Sequence, residues 1–372
     1  MREVRPLAIG AGVKTKVNAN VGTSPSQDDV GFEVRKALAA VEAGADTVMD
    51  LSVGRNVDKA RRRILREVDV PVGTVPLYQM FLGGKCADVS FDDMLDVVER
   101  QARDGVDFMT LHCGITLDLV RKSRSRIIPV TSRGGSLIAA WMLANGRENP
   151  LYERFGELLE VLREYGVVLS LGDALRPGAT KDASDVCQIG ELRNLGRLTA
   201  VARKAGVQVI IEGPGHVPLN QIEFNVRLEK EVCGNAPFYV LGPLVTDVGV
   251  GHDHITGAIG GAVAAMYGAD FLCYVTPSEH LGLPGLEDVR RGVIASRIAA
   301  HAADMVKLGA TGADDEMSKA RRKLDWNRMF KLALDKKVKE RYPDLQNKHE
   351  CTMCGEYCAL KILEKQNKKR RT

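Results

Sequence analysis

The sequence has no apolar run that reads as a membrane span, little net charge and no framework of paired cysteines, and each absence excludes a class of protein. Its longest apolar stretch, from Gly257 to Tyr274, is rich in glycine and alanine and is interrupted by Asp270, which suits a buried helix entering a strand rather than a bilayer crossing. Net charge is only +4, with much of the excess in the tail Lys365–Arg371, so the body has no nucleic-acid footprint and the tail reads as a solvated end. Five of the eight cysteines (Cys86, Cys113, Cys187, Cys233, Cys273) are dispersed, mostly in apolar runs, which argues against structural disulfides and for a reducing compartment. The run Met1-Arg-Glu-Val-Arg-Pro has neither the apolar core of a signal peptide nor the acid-poor amphipathicity of a transit peptide. The expectation is a cytoplasmic protein with no membrane or nucleic-acid partner. No solenoid repeat or low-complexity block appears.

What is present is a rhythm. Short strand-like runs begin at Val17, Asp46, Val72, Asp107, Ile127, Val167, Val207, Phe238 and Phe271, and amphipathic segments such as Phe32–Glu42, Phe91–Arg103, Tyr152–Glu164 and Ile189–Ala205 connect them. Gly44, Gly105, Gly166 and Gly206 follow four of those segments as helix C-caps. This is a parallel α/β architecture, and its length and repeat predict a (β/α)8 TIM-type barrel over residues 1–282. An open doubly wound sheet is the competing fold, but the first βα turn lacks a G-x-G-x-x-G pattern. Nine runs compete for eight places, and the run at Ile127 is the one expected to be a loop or an extra strand. Beyond Leu283 strands cease: a helical arm over 283–342, with helices over Asp288–Lys307 and Asp315–Tyr342, leads to a C-terminal segment, 343–372.

Each run ends in polar or special residues: Asn20, Met49, Tyr78, His112, Ser132-Arg133-Gly134-Gly135, Asp173-Ala174-Leu175-Arg176, Glu212, Tyr239 and His280. Any one alone is best read as a cap or loop residue. In a barrel, however, all strand C-termini open on one face, so the set would meet in one pocket. Thr131–Ser136 can offer backbone N–H groups, a hydroxyl and a guanidinium together, as a phosphate monoester requires. Asp173 and Arg176 are either a structural ion pair or a divided pair of substrate contacts. His216 and His280, each after a turn, could form an open zinc site, although a satisfied structural histidine is the usual reading of either. His252 and His254 compete for that role, but a helix starting there would splay their side chains by roughly 200°.

Cys351, Cys354 and Cys358 form a C-x2-C-x3-C triplet. Three thiolates can hold three irons of a cubane cluster and leave the fourth open, whereas a closed zinc knuckle would need a fourth ligand such as His349. The triplet alone does not choose between them.

In order along the chain, the segments KVNANVGTSP, DTVMDLS, VPLYQ, SRGGS, LSLGDALRPG, EGPGHVPL, FYVLGPLVTD, DFLCYVTPSEHLGLP and CTMCGEYC resemble the phosphomethylpyrimidine synthase (ThiC) family of thiamine biosynthesis over essentially the whole length. The resemblance implies a radical S-adenosylmethionine lyase. Such an enzyme converts 5-aminoimidazole ribotide to 4-amino-5-hydroxymethyl-2-methylpyrimidine phosphate, with formate, carbon monoxide, 5′-deoxyadenosine and methionine as the other products. It implies that Cys351, Cys354 and Cys358 hold a [4Fe-4S] cluster that binds S-adenosylmethionine, and that His216 and His280 hold zinc. It implies substrate contacts at Asn20, Met49, Tyr78, His112, Ser132, Arg133, Gly134, Asp173, Ala174, Leu175, Arg176, Glu212 and Tyr239. A reduced flavodoxin- or ferredoxin-type electron donor and a homodimer with shared active sites are also implied. Three departures stand out. The family carries an N-terminal extension with an Asn-x-x-His segment, whereas here the first strand run begins at Val17; Ala174 stands where glycine is usual; and Gly251-His252-Asp253 replaces Gly-Tyr-Asp. Two other functions remain compatible with the sequence. One is the sister enzyme 5-hydroxybenzimidazole synthase, on the anaerobic route to the lower ligand of cobalamin, whose members change the NAN, SRG and DxLR segments kept here. The other is a non-catalytic zinc-binding barrel.

Overall fold

The computed structural model describes residues 2–82, 86–348 and 350–362. Eight parallel strands close into a barrel in sequence order: β1 (Lys16–Val21), β2 (Thr47–Asp50), β3 (Val72–Thr74), β4 (Phe108–Leu111), β5 (Val168–Leu171), β6 (Val209–Gly213), β7 (Phe238–Leu241) and β8 (Phe271–Cys273). β8 pairs back on β1 through Lys16↔Phe271 and Asn18↔Cys273. Eight of the nine predicted runs are therefore strands.

The ninth, at Ile127, is a loop. Ile127 is 68% exposed, and its amide and that of Ile128 donate to the two carboxylate oxygens of Asp182, both at 3.0 Å, instead of joining a ladder. An apolar run becomes a strand only where a neighbour can satisfy its backbone, and here a side chain does so first.

The connecting helices follow the expected pattern with shifted ends. Val30–Glu42 is capped by Asp29, Phe91–Arg103 by a capping box of Ser90 and Asp93, and Val186–Lys204 by Asp185. The predicted Tyr152–Glu164 helix is two pieces, Pro150–Glu153 and Phe155–Tyr165. Gly44, Gly105, Gly166 and Gly206 all have positive φ, the conformation that turns a finished helix toward the next strand. Inside the barrel, Phe108 and Phe271 meet edge to face at 6.5 Å, and Tyr239 stacks on Phe271 at 4.3 Å. These buried rings form a floor beneath the C-terminal mouth, each contributing roughly 1.5–3 kcal/mol through burial.

The first compact unit runs to Leu308, beyond the boundary at 282 expected from the sequence. Helix Leu286–Leu308 packs on helices Val30–Glu42 and Asp253–Tyr267 and on β1. Its buried Asp304 accepts from the Thr15 amide at 3.0 Å and the Thr15 hydroxyl at 2.8 Å. It is the eighth barrel helix, and the arm begins after it.

In the second unit, Gly309–Thr372, the stretch Asp315–Tyr342 expected to be one helix is divided among Gly312–Lys323, Trp326–Leu332 and Val338–Arg341. Leu324 adopts a left-handed conformation and Asp325 caps a new helix by accepting from the Arg328 amide, which ends the first piece. The basic tail and His349 lie outside the described residues. Among the described residues, no helix is long and apolar enough to cross a membrane.

Candidate active site

The strand C-termini surround a recess with an empty volume of about 360 Å³, lined by Asn20, Met49, Tyr78, His112, Ser132, Arg176, Glu212 and Tyr239 together with Leu51, Val75, Thr110 and Leu241. Eight of the expected substrate contacts thus share one pocket. Asp173, Ala174 and Leu175 are not among its lining residues, and Arg133 lines a neighbouring recess of about 730 Å³ with Lys36, Glu279 and His280. A larger open groove of about 2290 Å³ lies at the opposite end of the barrel. Part of its charged lining is internally paired, as in Arg62–Asp104 at 2.9 Å, and that end of a TIM barrel serves stability rather than chemistry.

On the β1–β7 side, Asn18 and Asn20 face the lumen because they are two apart on a strand. The Asn18 amide donates to Asn20 Oδ1 and to the Tyr239 hydroxyl, each at 2.7 Å, and Thr47 donates to Asn18 Oδ1 at 2.7 Å. Asn20 Nδ2 donates to Cys273 Sγ at 3.1 Å. Burial pushes the Tyr239 phenol well above its usual range, so it is neutral.

Across the mouth, His112 Nε2 and the Ser132 hydroxyl share a hydrogen bond of 2.8 Å. Ser132 also caps helix Arg133–Asn145 by accepting from the Gly135 amide at 3.1 Å. Burial, reinforced by Arg176, pulls the His112 pKa down to about 3, so the ring is neutral. Its Nδ1 is buried with no hydrogen-bond partner among the described residues, an orphan that a ligand would satisfy. Gly134 permits this contact, because a Cβ there would stand 2.5 Å from His112 Cε1. The Arg133 guanidinium lies over the Tyr78 ring at 4.9 Å.

Arg176 is the cation of the site, with Nη1 3.0 Å from Asp173 Oδ1. Glu212 accepts from Thr110 at 2.7 Å and Ser170 at 3.3 Å. Burial raises the carboxyl pKa of both Asp173 and Glu212, and Arg176 opposes that shift in each. Asp173 Oδ2 is buried without a partner among the described residues. Such a pocket offers hydrogen-bonding groups of both kinds to a polar ring or sugar. Ala174, which stands where glycine is usual, is fully buried against Gly135 and is not part of the recess lining.

His216 and His280 stand with ring centres 5.4 Å apart. Two imidazoles on one tetrahedral zinc, at ~2.0–2.1 Å from nitrogen to metal, place their centres roughly 5 Å apart, so the pair fits. Each ring meets a carboxylate through Nδ1, His216 with Asp247 at 2.8 Å and His280 with Asp253 at 3.4 Å, which leaves both Nε2 atoms for a metal. Their ring centres 6.3 Å apart, His252 and His254 are less splayed than expected, because His252 precedes the helix as its cap.

In the C-terminal segment, Gly355–Tyr357 is a tight turn, with the Gly355 amide bonded to the Cys351 carbonyl at 3.1 Å. Lys361 and Glu350 pair at 2.6 Å across the base of the cysteine loop. The amides of Cys354 and Met353 hold the Cys351 thiol below its usual pKa, favouring a thiolate, the form a metal would need. Among the described residues no three metal-binding side chains converge in ligand geometry. Sites of this kind assemble around the metal, and the donor set, three thiols in one short loop, suits a cluster with one open iron.

Sequence reasoning missed Asn18, Thr110, Cys273, Asp247 and Asp253. Asn18 was legible as the inward-facing neighbour of Asn20; the other four acquire their role only through contacts between distant strands and loops.

A parallel barrel with a polar C-terminal mouth and a three-cysteine segment defines a barrel enzyme of cluster chemistry. The chain belongs to the radical SAM ThiC family, whose model matches residues 1–365. It is 56% identical to the phosphomethylpyrimidine synthase of Desulforamulus reducens, covering 97% of this chain and 87% of that protein. It is 55% identical to that of Methanopyrus kandleri, covering 99% and 89%. Phosphomethylpyrimidine synthase 2 of Methanothermobacter thermautotrophicus is 55% identical, over 97% and 88%. Membership of a radical SAM family brings S-adenosylmethionine and an iron–sulfur cluster as cofactors.

Proposed function

We propose that this chain converts 5-aminoimidazole ribotide to 4-amino-5-hydroxymethyl-2-methylpyrimidine phosphate in thiamine biosynthesis. The observation that carries this reading is the single recess gathering Asn20, Tyr78, His112, Ser132, Arg176, Glu212 and Tyr239, in a chain whose family match is nearly complete. Arg133, braced on Tyr78, and the capped start of its helix receive the phosphate. His112 Nδ1 offers an unpaired polar atom to the ribotide, Arg176 and Glu212 orient it from the far wall, and Asp173 holds Arg176 in place. The apolar floor excludes water from a radical reaction.

Cys351, Cys354 and Cys358 hold the [4Fe-4S] cluster. When bound and reduced, the cluster would supply the one electron that cleaves S-adenosylmethionine to methionine and the 5′-deoxyadenosyl group needed for hydrogen abstraction from the ribose. His216 and His280 would hold zinc through their free Nε2 atoms. We also infer a reduced flavodoxin- or ferredoxin-type donor, a cytoplasmic setting and a homodimer, the last checked by sedimentation equilibrium, where a monomer at working concentration would remove it.

The main test is mass spectrometry of the product formed from 5-aminoimidazole ribotide by anaerobically reconstituted protein. The pyrimidine phosphate is expected; 5-hydroxybenzimidazole would establish the sister reaction, which shares substrate and cofactors. The high identity to three pyrimidine synthases favours the first product. Replacing any one of the three cysteines by alanine should abolish 5′-deoxyadenosine formation, and a normal yield would remove the cluster assignment. Colourless reconstituted protein would instead favour a zinc-binding barrel.

A further inference from the structure

We propose that Glu191 and Arg126 are positioning residues that hold the turn Asp173–Arg176 in the shape that binds the ribotide. Neither belongs to the pocket lining, and neither was legible in the sequence. The inference rests on the assignment of that turn to the substrate and adds what keeps it in place.

The backbone of Leu175 is held on both sides, at the peptide before it and the peptide after it. Glu191, 1% exposed, reaches back from helix Val186–Lys204 and accepts the Ala174 amide at 3.0 Å and the Leu175 amide at 2.6 Å, one on each carboxylate oxygen. Arg126 Nη1 donates to the Leu175 carbonyl at 2.8 Å. Its remaining nitrogens form a fork on Asp185, at 2.7 and 2.6 Å. Asp185 is in turn the N-cap of the helix that carries Glu191. Arg126, Asp185 and Glu191 thus form a closed frame around one turn.

Arg126 immediately precedes the Ile127 run that breaks the strand rhythm. That segment stays out of the barrel and braces the turn, with Asp182 fixing its amides.

The frame matters because Asp173 and Arg176 are the two ends of this turn. Ala174 and Leu175 are fully buried, so their polar backbone groups need partners inside the protein. Rotating the peptide between them would move the carboxylate and the guanidinium together. Helix Arg133–Asn145 closes the remaining side, since even a Cβ on Gly135 would approach the Ala174 carbonyl to 2.5 Å. A side-chain clamp on both the N–H and the C=O of one buried residue exceeds what merely closing a loop requires.

The test is a double-mutant cycle on full-length reconstituted protein, reading the dissociation constant of 5-aminoimidazole ribotide by calorimetry. Glu191→Gln keeps the shape but replaces one acceptor oxygen with an NH2 group, so affinity should fall roughly 10-fold, the worth of one such hydrogen bond. Arg176→Ala should also weaken binding, and the double variant should bind no worse than Arg176→Ala alone, because Glu191 acts through the turn. A purely structural role would leave the two effects multiplicative, and that result, or unchanged affinity in Glu191→Gln, overturns the proposal. Arg126→Lys, which cannot hold Asp185 and Leu175 together, repeats the test from the other side should the glutamine variant fail to fold. Unchanged affinity in Arg176→Ala would instead remove the substrate role of the turn itself.

Discussion

Replacing Gly134 by alanine tests the geometry of the mouth in a single atom. Gly134 is the second residue of helix Arg133–Asn145, where alanine is intrinsically better than glycine by about 0.8–1.0 kcal/mol. Propensity alone therefore predicts stabilisation. The structure predicts the opposite sign. The added Cβ would lie 2.5 Å from Cε1, 2.8 Å from Nδ1 and 3.2 Å from Nε2 of His112, a fully buried ring held by Ser132. Overpacking of this kind costs about 1–3 kcal/mol, and losing the His112–Ser132 bond about 0.5–1.5 kcal/mol more, so the net expectation is destabilisation by roughly 0.5–3.5 kcal/mol. Ribotide affinity should fall as well, because the ring that would meet the ligand must turn away. Gly156 is the matched control: it is the second residue of helix Phe155–Tyr165, and a Cβ there meets nothing within 4 Å. Gly156→Ala should stabilise by about 0.5–1 kcal/mol and leave affinity unchanged. Urea unfolding and calorimetric titration of both variants give the answer. If Gly134→Ala proves as stable and as tight-binding as Gly156→Ala, the described contact between helix and histidine is wrong.

Arg133→Ala should weaken ribotide binding by roughly 10- to 100-fold, because charge-assisted hydrogen bonds are worth about 1.5–3 kcal/mol each; unaltered affinity in calorimetry would put the phosphate elsewhere. Glu229 gives a pH signature remote from the mouth. Neither of its carboxyl oxygens has a hydrogen-bond partner among the described residues, Lys230 Nζ stands 3.4 Å from one of them, and burial pushes its pKa up to about 8. The folded state then holds a proton that the unfolded chain releases near pH 4.5, so this contribution is fully present below that pH. It falls by about 1.4 kcal/mol per unit as pH rises toward 8 and levels off above. Glu229→Gln should flatten that part of the stability curve, and parallel urea-midpoint profiles for both proteins between pH 5 and 8 would show that the carboxyl is not held protonated.

The barrel was legible in the chain because its signals are local. Runs of four to six apolar residues, capped helices and the glycines after them depend on neighbours within one or two turns, and eight strands formed where those signals stood. The polar strand ends were legible for the same reason, and closure of the sheet brought Asn20 on β1 to the same recess as Glu212 on β6. The triplet Cys351, Cys354 and Cys358 needed no fold at all to be recognised, since its ligand spacing lies within one loop. Tertiary structure decided the rest. The Ile127 run carries strand-like residues, yet Asp182 satisfied its amides first and left it a loop. Helix Leu286–Leu308 looked like part of the arm until the pairing of Asp304 with Thr15, far away in sequence, fixed it to the barrel. His112 is an ordinary histidine in the sequence, and only burial beside Arg176 makes it neutral and leaves Nδ1 open. Glu191, Arg126, Asp247 and Asp253 carry no motif. Their roles are set by what a backbone group or an imidazole nitrogen lacks once the chain is folded, and an unmet hydrogen bond inside a protein exists only after water has been excluded from around it.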